Sequence, residues 1–314
     1  MISVIITAYN REKTIERSIM SALSQDSDDY EIIVVDDGSD DRTPEILEKC
    51  KQAYPDIIKV INGPHAGVAA ARNAGLAAAS GDYITYLDSD DYYLAGALSN
   101  MKDAIGDADV LIYDAVCEYE DGRREDFPSF RDGLSGICPG TILKELAILS
   151  KPCPWNHLIK KEIYDSLEGG FPNGMWYEDF GTLPILMSRA ESITYIAKPL
   201  VCYVQSSGSV MRAEGYNNHF EDIFAVTDHV VNALRKDFPA EAEFLACEHL
   251  LISGGKRFLG CNHRDSAGRC ADYMRSTFPN FQSNKYFANE PLKKRVLAGL
   301  IYKKKFTLLK VLGK

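Results

Sequence analysis

Four short apolar runs without polar alternation, separated by stretches of helical period, fill the first ninety residues and leave few folds open. Ile2 to Ala8 reads as a strand, and Thr14 to Ser24 as a helix with Ile15, Ile19, Ala22 and Leu23 on one face. Glu31 to Val35 is a second strand, and Thr43-Pro44 supplies an N-cap and a first-turn proline for a helix reaching about Ala53. Ile57 to Asn62, the Ala-rich helix Ala66 to Ser80 and the strand Tyr83 to Leu87 complete the series. Strands of this kind are buried on both faces, so an α/β fold is expected, with a mostly parallel sheet between helices.

In such a sheet the ligand crevice lies beyond the carboxyl ends of the strands. Here those ends carry Thr7-Ala8-Tyr9-Asn10, Asp36-Asp37-Gly38-Ser39 and Asp88-Ser89-Asp90-Asp91. Asp88 and Asp90 follow an apolar strand closely enough to share one small space, which is costly for two like charges unless a cation lies between them. A hard divalent ion, Mg2+ or Mn2+, held by one or two carboxylates and completed by substrate phosphates, suits that arrangement. A solvated acidic turn or a helix N-cap is the plain alternative. The first strand is followed by neither GxGxxG nor GxxxxGK[ST], which removes the main support for dinucleotide oxidoreductases and P-loop NTPases.

Beyond Asp91 the pattern loosens. Val110 to Val116 reads as a strand, Asp121 to Gly136 as a polar loop, Lys144 to Ser150 and Lys160 to Leu167 as helical, and Ser192 to Val204 as one or two strands. From about Asn217 the chain is expected to be helical, with Phe220, Ile223, Phe224, Thr227, Val231 and Leu234 in one stripe and Phe244 to Phe258 in a second helix. The expected division is therefore residues 1–215, with the pattern changing at about 100, followed by a helical region 216–314.

Charge divides along the chain as well. Residues 1–290 hold 27 basic and 45 acidic residues, or −18, whereas the last 24 hold eight basic and no acidic ones. A body this acidic is a poor partner for nucleic acid. The tail from Pro291 to Lys314 interleaves basic clusters with Val296, Leu297, Leu300, Ile301, Leu308 and Leu309, as in an amphipathic helix on an anionic membrane surface. A helix docked on the acidic body fits the same composition. Met1 to Ile6 has no basic leader or cleavage-site pattern, no apolar run is long enough to span a bilayer, and the eight cysteines form no CxxC pair. A cytoplasmic protein, peripheral at most, with reduced thiols is expected. The closeness of Cys261, His263 and Cys270 falls short of a structural zinc site.

Taken together, Ser3-Val4-Ile5-Ile6-Thr7-Ala8-Tyr9-Asn10, Glu31 to Ser39, Ala71-Arg72-Asn73-Ala74-Gly75, Gly81-Asp82-Tyr83-Ile84 and Leu87 to Asp91 stand in the order and spacing of family 2 glycosyltransferases of GT-A fold. Pro154 to Lys160 resembles the WNK-like segment of that family, and Tyr177-Glu178-Asp179-Phe180 its ED motif. The resemblance implies a metal-dependent, inverting transfer of a hexosyl or N-acetylhexosaminyl group from a nucleotide-sugar, with UDP as carrier, to a saccharide or lipid-linked hydroxyl in bacterial surface-polysaccharide assembly. Thr7, Ala8 and Tyr9 would line the base pocket, Asp37 would accept from the uracil N–H, and Arg72 would reach the base or diphosphate. Asp88 would lie on the ribose side and Asp90 would ligate Mn2+ or Mg2+. Asp179 would be the catalytic base, an ordinary carboxylate that is weak toward an alcohol, and Glu178 would orient the acceptor or a neighbouring arginine. Ser209 and Arg212 would approach the diphosphate, Trp155 and Asn156 the acceptor, and His219 is a candidate for the metal shell. Two rivals belong to other classes: a catalytically weak protein of this fold that docks a membrane or partner, and a sugar nucleotidyltransferase. The latter needs a Gly-rich phosphate loop, which Tyr9 to Lys13 does not supply.

Overall fold

The computed structural model describes residues 1–130, 138–205 and 215–308. Strands β1 (Ile2–Ala8), β2 (Tyr30–Asp36), β3 (Ile58–Asn62) and β4 (Tyr83–Asp88) are mutually parallel in the order β3-β2-β1-β4. Helices α1 (Ile15–Leu23), α2 (Thr43–Ala53) and α3 (Val68–Ala78) connect them. The apolar runs are continuous because successive side chains enter two different cores. Val4, Ile6, Ile32 and Val34 pack with α1 and α2, whereas Ile5, Ile33, Val35 and Ile84 pack with α3 and elements from later in the chain.

The second half adds antiparallel pairing. After β5 (Tyr92–Tyr93) and α4 (Ala97–Ile105) come β6 (Val110–Tyr119), β7 (Arg124–Phe127), β8 (Gly140–Thr141), α5 (Lys144–Ile148), β9 (His157–Lys160), α6 (Lys161–Asp165), α7 (Glu178–Arg189) and β10 (Ile193–Gln205). Short β9 inserts antiparallel between β4 and β6, and β10 runs parallel to β6. The segment read as a polar loop contains β7. Its four residues form a hairpin with β6, where Arg124 meets Glu118 at 2.6 Å and Phe127 turns toward Trp155, and one inward ring is too little apolar signal to betray a strand. β10 is a single strand whose register slips around Pro199, since proline cannot donate to the ladder.

Helices α8 (Asp222–Leu234), α9 (Pro239–Leu245), a π-helical stretch (Ala246–Gly254), α10 (Gly255–Gly260), α11 (Arg264–Thr277) and α12 (Leu292–Tyr302) follow. Phe220, Ile223, Leu250 and Phe258 share one buried cluster with Phe180 and Leu183 of α7. The segment expected as one helix over 244–258 is thus broken in register by the π-helical turns. α12 lies on the body, with Ala298 and Ile301 buried, and Lys304, just past its end, reaches Asp272 at 2.7 Å. Its outer face shows Leu292 and Val296 to solvent. Among the described residues no helix is long and apolar enough to cross a membrane.

One local correction concerns α2, and one close approach concerns α3. Thr43 does not cap α2: the Asp41 carboxylate accepts its N–H at 2.8 Å, and the Thr43 hydroxyl accepts from the Arg11 N–H instead. In α3, Gly75 meets the sheet where a Cβ would stand 2.4 Å from Ile5 Cγ2 and 3.3 Å from Val35 Cγ2. Both are branched methyl groups in a closed core. Gly75→Ala is therefore expected to lower stability by about 1–3 kcal/mol, read as a lower urea midpoint with unchanged slope.

Candidate functional site

Register brings the three sequence-identified strand ends into line: Thr7 lies beside Asp88, Ala8 beside Asp36, and Asp36 beside Asn62. The loops beyond them are stitched together. Asn10 N–H donates to Ser39 Oγ, Asn10 Oδ1 accepts from Asp40 N–H, and Asp36 Oδ1 accepts from Ser39 N–H. Gly38 has φ +77°, and a Cβ there would meet the His65 backbone nitrogen at 2.9 Å, so the turn requires glycine.

Asp37 is buried, and its two oxygens accept the Ala66 and Gly67 N–H groups at 2.7 and 2.9 Å. It fastens the loop after β3, which differs from the free acceptor expected of it. That loop carries His65, whose ring stacks on Tyr9 with centroids 4.0 Å apart and whose Nδ1 lies 3.3 Å from Asp37 Oδ2. Sequence reasoning passed over His65, although Asn62-Gly63-Pro64-His65 is a fourth strand end with turn residues. Thr7 is half-buried and Tyr9 is open to solvent.

At the end of β4, Asp88 and Asp90 are both about one-third exposed. Burial, then the negative charge of Asp88, pushes the Asp90 carboxyl above its ordinary range, and Arg11 Nη2 at 3.8 Å offsets this only in part. Asp91, not singled out from the sequence, is fully buried. It accepts from Val204 N–H at 2.7 Å through Oδ1, its Oδ2 has no partner among the described residues, and burial with Asp88 and Asp90 raises it well above a normal carboxyl. Among the described residues no group of three His, Cys, Asp or Glu converges to form a protein-only metal cage. Two adjacent, partly open carboxylates with surplus negative charge do fit a Mg2+ or Mn2+ ion whose shell is completed by phosphate oxygens.

The Ala71-Arg72-Asn73-Ala74-Gly75 motif joins the two halves. Arg72 is buried one turn into α3, with Nη1 2.6 Å from Glu178 Oε1 and Nη2 3.5 Å from Asp88 Oδ1. These carboxylates hold its guanidinium above its ordinary pKa against the pull of burial. The next residue, Asn73, donates to Phe171 O at 2.9 Å and accepts from Phe171 N–H at 2.8 Å, pinning the chain before α7. Arg72, expected at the base or diphosphate, is here the cation shared by the acids of β4 and α7.

Glu178 and Asp179 open α7 after Tyr177, a non-glycine residue with φ 66°. Asp179 is half-buried, and burial and the charge of Glu178 push it up to about 7 while Arg72 pulls it down. It is thus a stronger base than the ordinary carboxylate expected. Trp155 and Asn156 are in the interior rather than on an open acceptor face. Trp155 packs 5.3 Å from Tyr203 and 5.4 Å from Phe127, and Asn156 donates to Ser129 Oγ at 3.0 Å. His219 stacks on Trp176 and bonds Asp222 Oδ2 at 2.9 Å. Ser209 and Arg212 lie outside the described residues.

Comparison with known proteins bears on the family and the fold. The family described as Glycosyl transferase family 2 matches residues 3–167. The UDP-Glc:alpha-D-GlcNAc-diphosphoundecaprenol beta-1,3-glucosyltransferase WfaP of Escherichia coli is 45% identical over 101 residues, 32% of this chain and 39% of that protein. The chain spans about a third of the length of such curated relatives. S. aureus TarS 1-349 in complex with UDP-GlcNAc superposes with a TM-score of 0.73 at 21% identity, over 98% of this chain and 88% of that one. The mannosyltransferase from Pyrobaculum calidifontis in complex with GDP-Man and Mn2+ gives 0.53 at 16% identity, over 98% and 86%. At these identities the two structures speak for the fold, a central sheet between helices of GT-A type with a helical region after it.

Proposed function

The chain belongs to glycosyl transferase family 2, and from that premise we propose that it transfers a hexosyl or N-acetylhexosaminyl group from a UDP-sugar, with inversion, to a hydroxyl of a saccharide or lipid-linked acceptor in surface-polysaccharide assembly on the cytoplasmic side of the membrane. Residues 1–215 form the catalytic unit in this reading, and 216–314 its helical continuation, whose basic tail is a candidate for touching the anionic lipid surface. The observation that carries the reading is the Arg72 bridge, which fixes the acids at the end of β4 and the acid pair of α7 around one cation. The UDP assignment draws on the donor in the E. coli relative's name.

In the reaction, Asp179 accepts the proton of the acceptor hydroxyl as that oxygen bonds to the anomeric carbon. The bond from that carbon to the diphosphate oxygen breaks, its electron pair leaving with UDP. Burial beside Glu178 gives Asp179 proton affinity suited to this, and Arg72 keeps enough of it ionised at neutral pH. Glu178, held by Arg72, is a positioning residue. A Mn2+ or Mg2+ ion held by Asp90, with Asp88 beside it, would neutralise charge on the departing diphosphate. Tyr9 would offer its ring to the uracil, with His65 moving aside, while Thr7 and Ala8 form the floor and Asp37 holds the wall.

Calorimetric titration with UDP, with and without Mn2+, tests the donor side. The parent chain is expected to bind UDP at least about tenfold more tightly with Mn2+, and Asp90→Ala to lose that gain while retaining metal-free binding. Metal-independent affinity in the parent would remove Asp90 from the metal role.

A further inference from the structure

A second concave surface lies in the helical region, a cleft of about 730 Å³ between the π-helical stretch with α10 on one side and α12 on the other. Lys256 and Arg257 line it from α10, and Lys293 and Lys294 from the first turn of α12. Lys294 is committed, 2.6 Å from Glu248 and 3.0 Å from Glu290. Lys256 and Lys293 are exposed and have no acidic partner among the described residues, and Arg257 rests its guanidinium 4.8 Å over the Phe220 ring.

Besides the paired Lys294, three cations, Lys256, Arg257 and Lys293, thus face one cleft in a chain whose net charge is −10. Convergence from two separate helices keeps like charges together that an anion would bind jointly. Pro291 and Leu297 line it as well, with the largely buried Phe220 and Ile252 behind. An apolar wall of this kind gives a bare inorganic ion nothing to contact, whereas a phosphate flanked by carbon on its ester oxygens would use both the charge and the wall.

The cleft is linked by packing to the segment that carries Glu178 and Asp179. Phe220 packs edge-on against Trp176 at 5.7 Å, and Trp176 directly precedes Tyr177-Glu178-Asp179. Tyr177 feels the charges of both Arg257 and Asp179. On the rim, the Cys261 thiol donates to Gly215 O at 3.1 Å.

We propose that this cleft binds a phosphate ester of the acceptor, holding a phosphorylated segment of it on α10 and α12 while its hydroxyl reaches Asp179. The proposal rests on the glycosyltransferase reading and adds to it the chemical class of the acceptor.

The test titrates the full chain with glycerophosphoglycerol, a soluble phosphodiester, in the presence of saturating UDP, and follows the 31P resonance of the probe. Saturable binding in the millimolar range is expected for the parent. Lys256→Glu with Lys293→Glu, both at exposed positions, should weaken it about tenfold or more while UDP affinity stays unchanged, which also reports an intact fold. Equal affinity in parent and variant, or no saturation in that range, would overturn the proposal. Vesicles of phosphatidylglycerol and of phosphatidylcholine separate the lipid source. Charge-dependent binding to the former, lost in the variant and without any binding of the soluble diester, would make the surface a membrane dock and also sink the proposal. Failure of the donor reading is seen separately, as absence of UDP binding by the parent.

Discussion

Asp179→Asn is expected to reduce turnover of a UDP-sugar by about 10²–10⁴-fold while leaving UDP affinity intact, because the amide keeps the shape of the side chain but cannot take a proton. In the parent the same residue sets the acid limb of the pH profile. Since burial and Glu178 raise Asp179 to about 7, turnover should fall as pH drops below about 7 rather than below the usual carboxylate range. Stability responds in the opposite sense. Between the ordinary carboxyl pKa and about 7 the folded chain holds a proton that the unfolded chain has lost. The stabilisation from this group is full below the lower value and is gone above about 7. Asp179→Asn should therefore melt higher than the parent at pH 8 and lose that advantage near pH 4. A variant with an unchanged acid limb would dismiss Asp179 as the base.

Arg72→Met is expected to destabilise the chain by about 3–5 kcal/mol, the range for removing one partner of a buried ion pair. The size follows from the surroundings: the Arg72 side chain is 6% exposed and that of Glu178 13%, so water cannot replace the lost guanidinium. Urea unfolding measures the loss, and Arg72→Met with Glu178→Gln should regain part of it, since the stranded charge is then gone. Arg72→Lys should recover little, because a single ammonium cannot span Glu178 and Asp88 as a planar fork does. The activity readout differs from a stability effect. Without Arg72 the Asp179 pKa rises further, so the acid limb of any residual activity should move to higher pH. Loss of stability without that movement would reduce Arg72 to a packing role.

What the sequence discloses and what it hides follow from the range of the interactions. The donor-side strands are legible because burial on both faces makes them continuous apolar runs, and their ends are marked by Asp36, Asp37, Asp88 and Asp90 within a few residues of each run. The Arg72 bridge is not legible, because its partners Asp88 and Glu178 lie 16 and 106 residues away and only the packing of α3 against the segment before α7 brings them together. Asp37 illustrates a subtler loss. Its residue type suits a ligand N–H, but backbone amides of a neighbouring loop reach it in the folded chain. Trp155 and Asn156 are expected at the acceptor, but the hydrogen bond to Ser129 and the rings of Phe127 and Tyr203 hold them inside.

The two cores are completed at different moments of synthesis. The face of the sheet formed by Val4, Ile6, Ile32 and Val34 finds its covering helices α1 and α2 within the first fifty-odd residues. The opposite face, with Ile5, Ile33, Val35 and Ile84, is covered by α3 at once but shares its cluster with α7 and with helices as late as α12. At about 5–20 residues per second, a ribosome takes roughly ten seconds or more to travel from β4 to the end of α7 and on toward α12. A nascent chain of this protein therefore leaves the exit tunnel with one face already holding its first covering helices and the other adhesive for longer, so shielding of that second face during translation favours a good yield of folded chain.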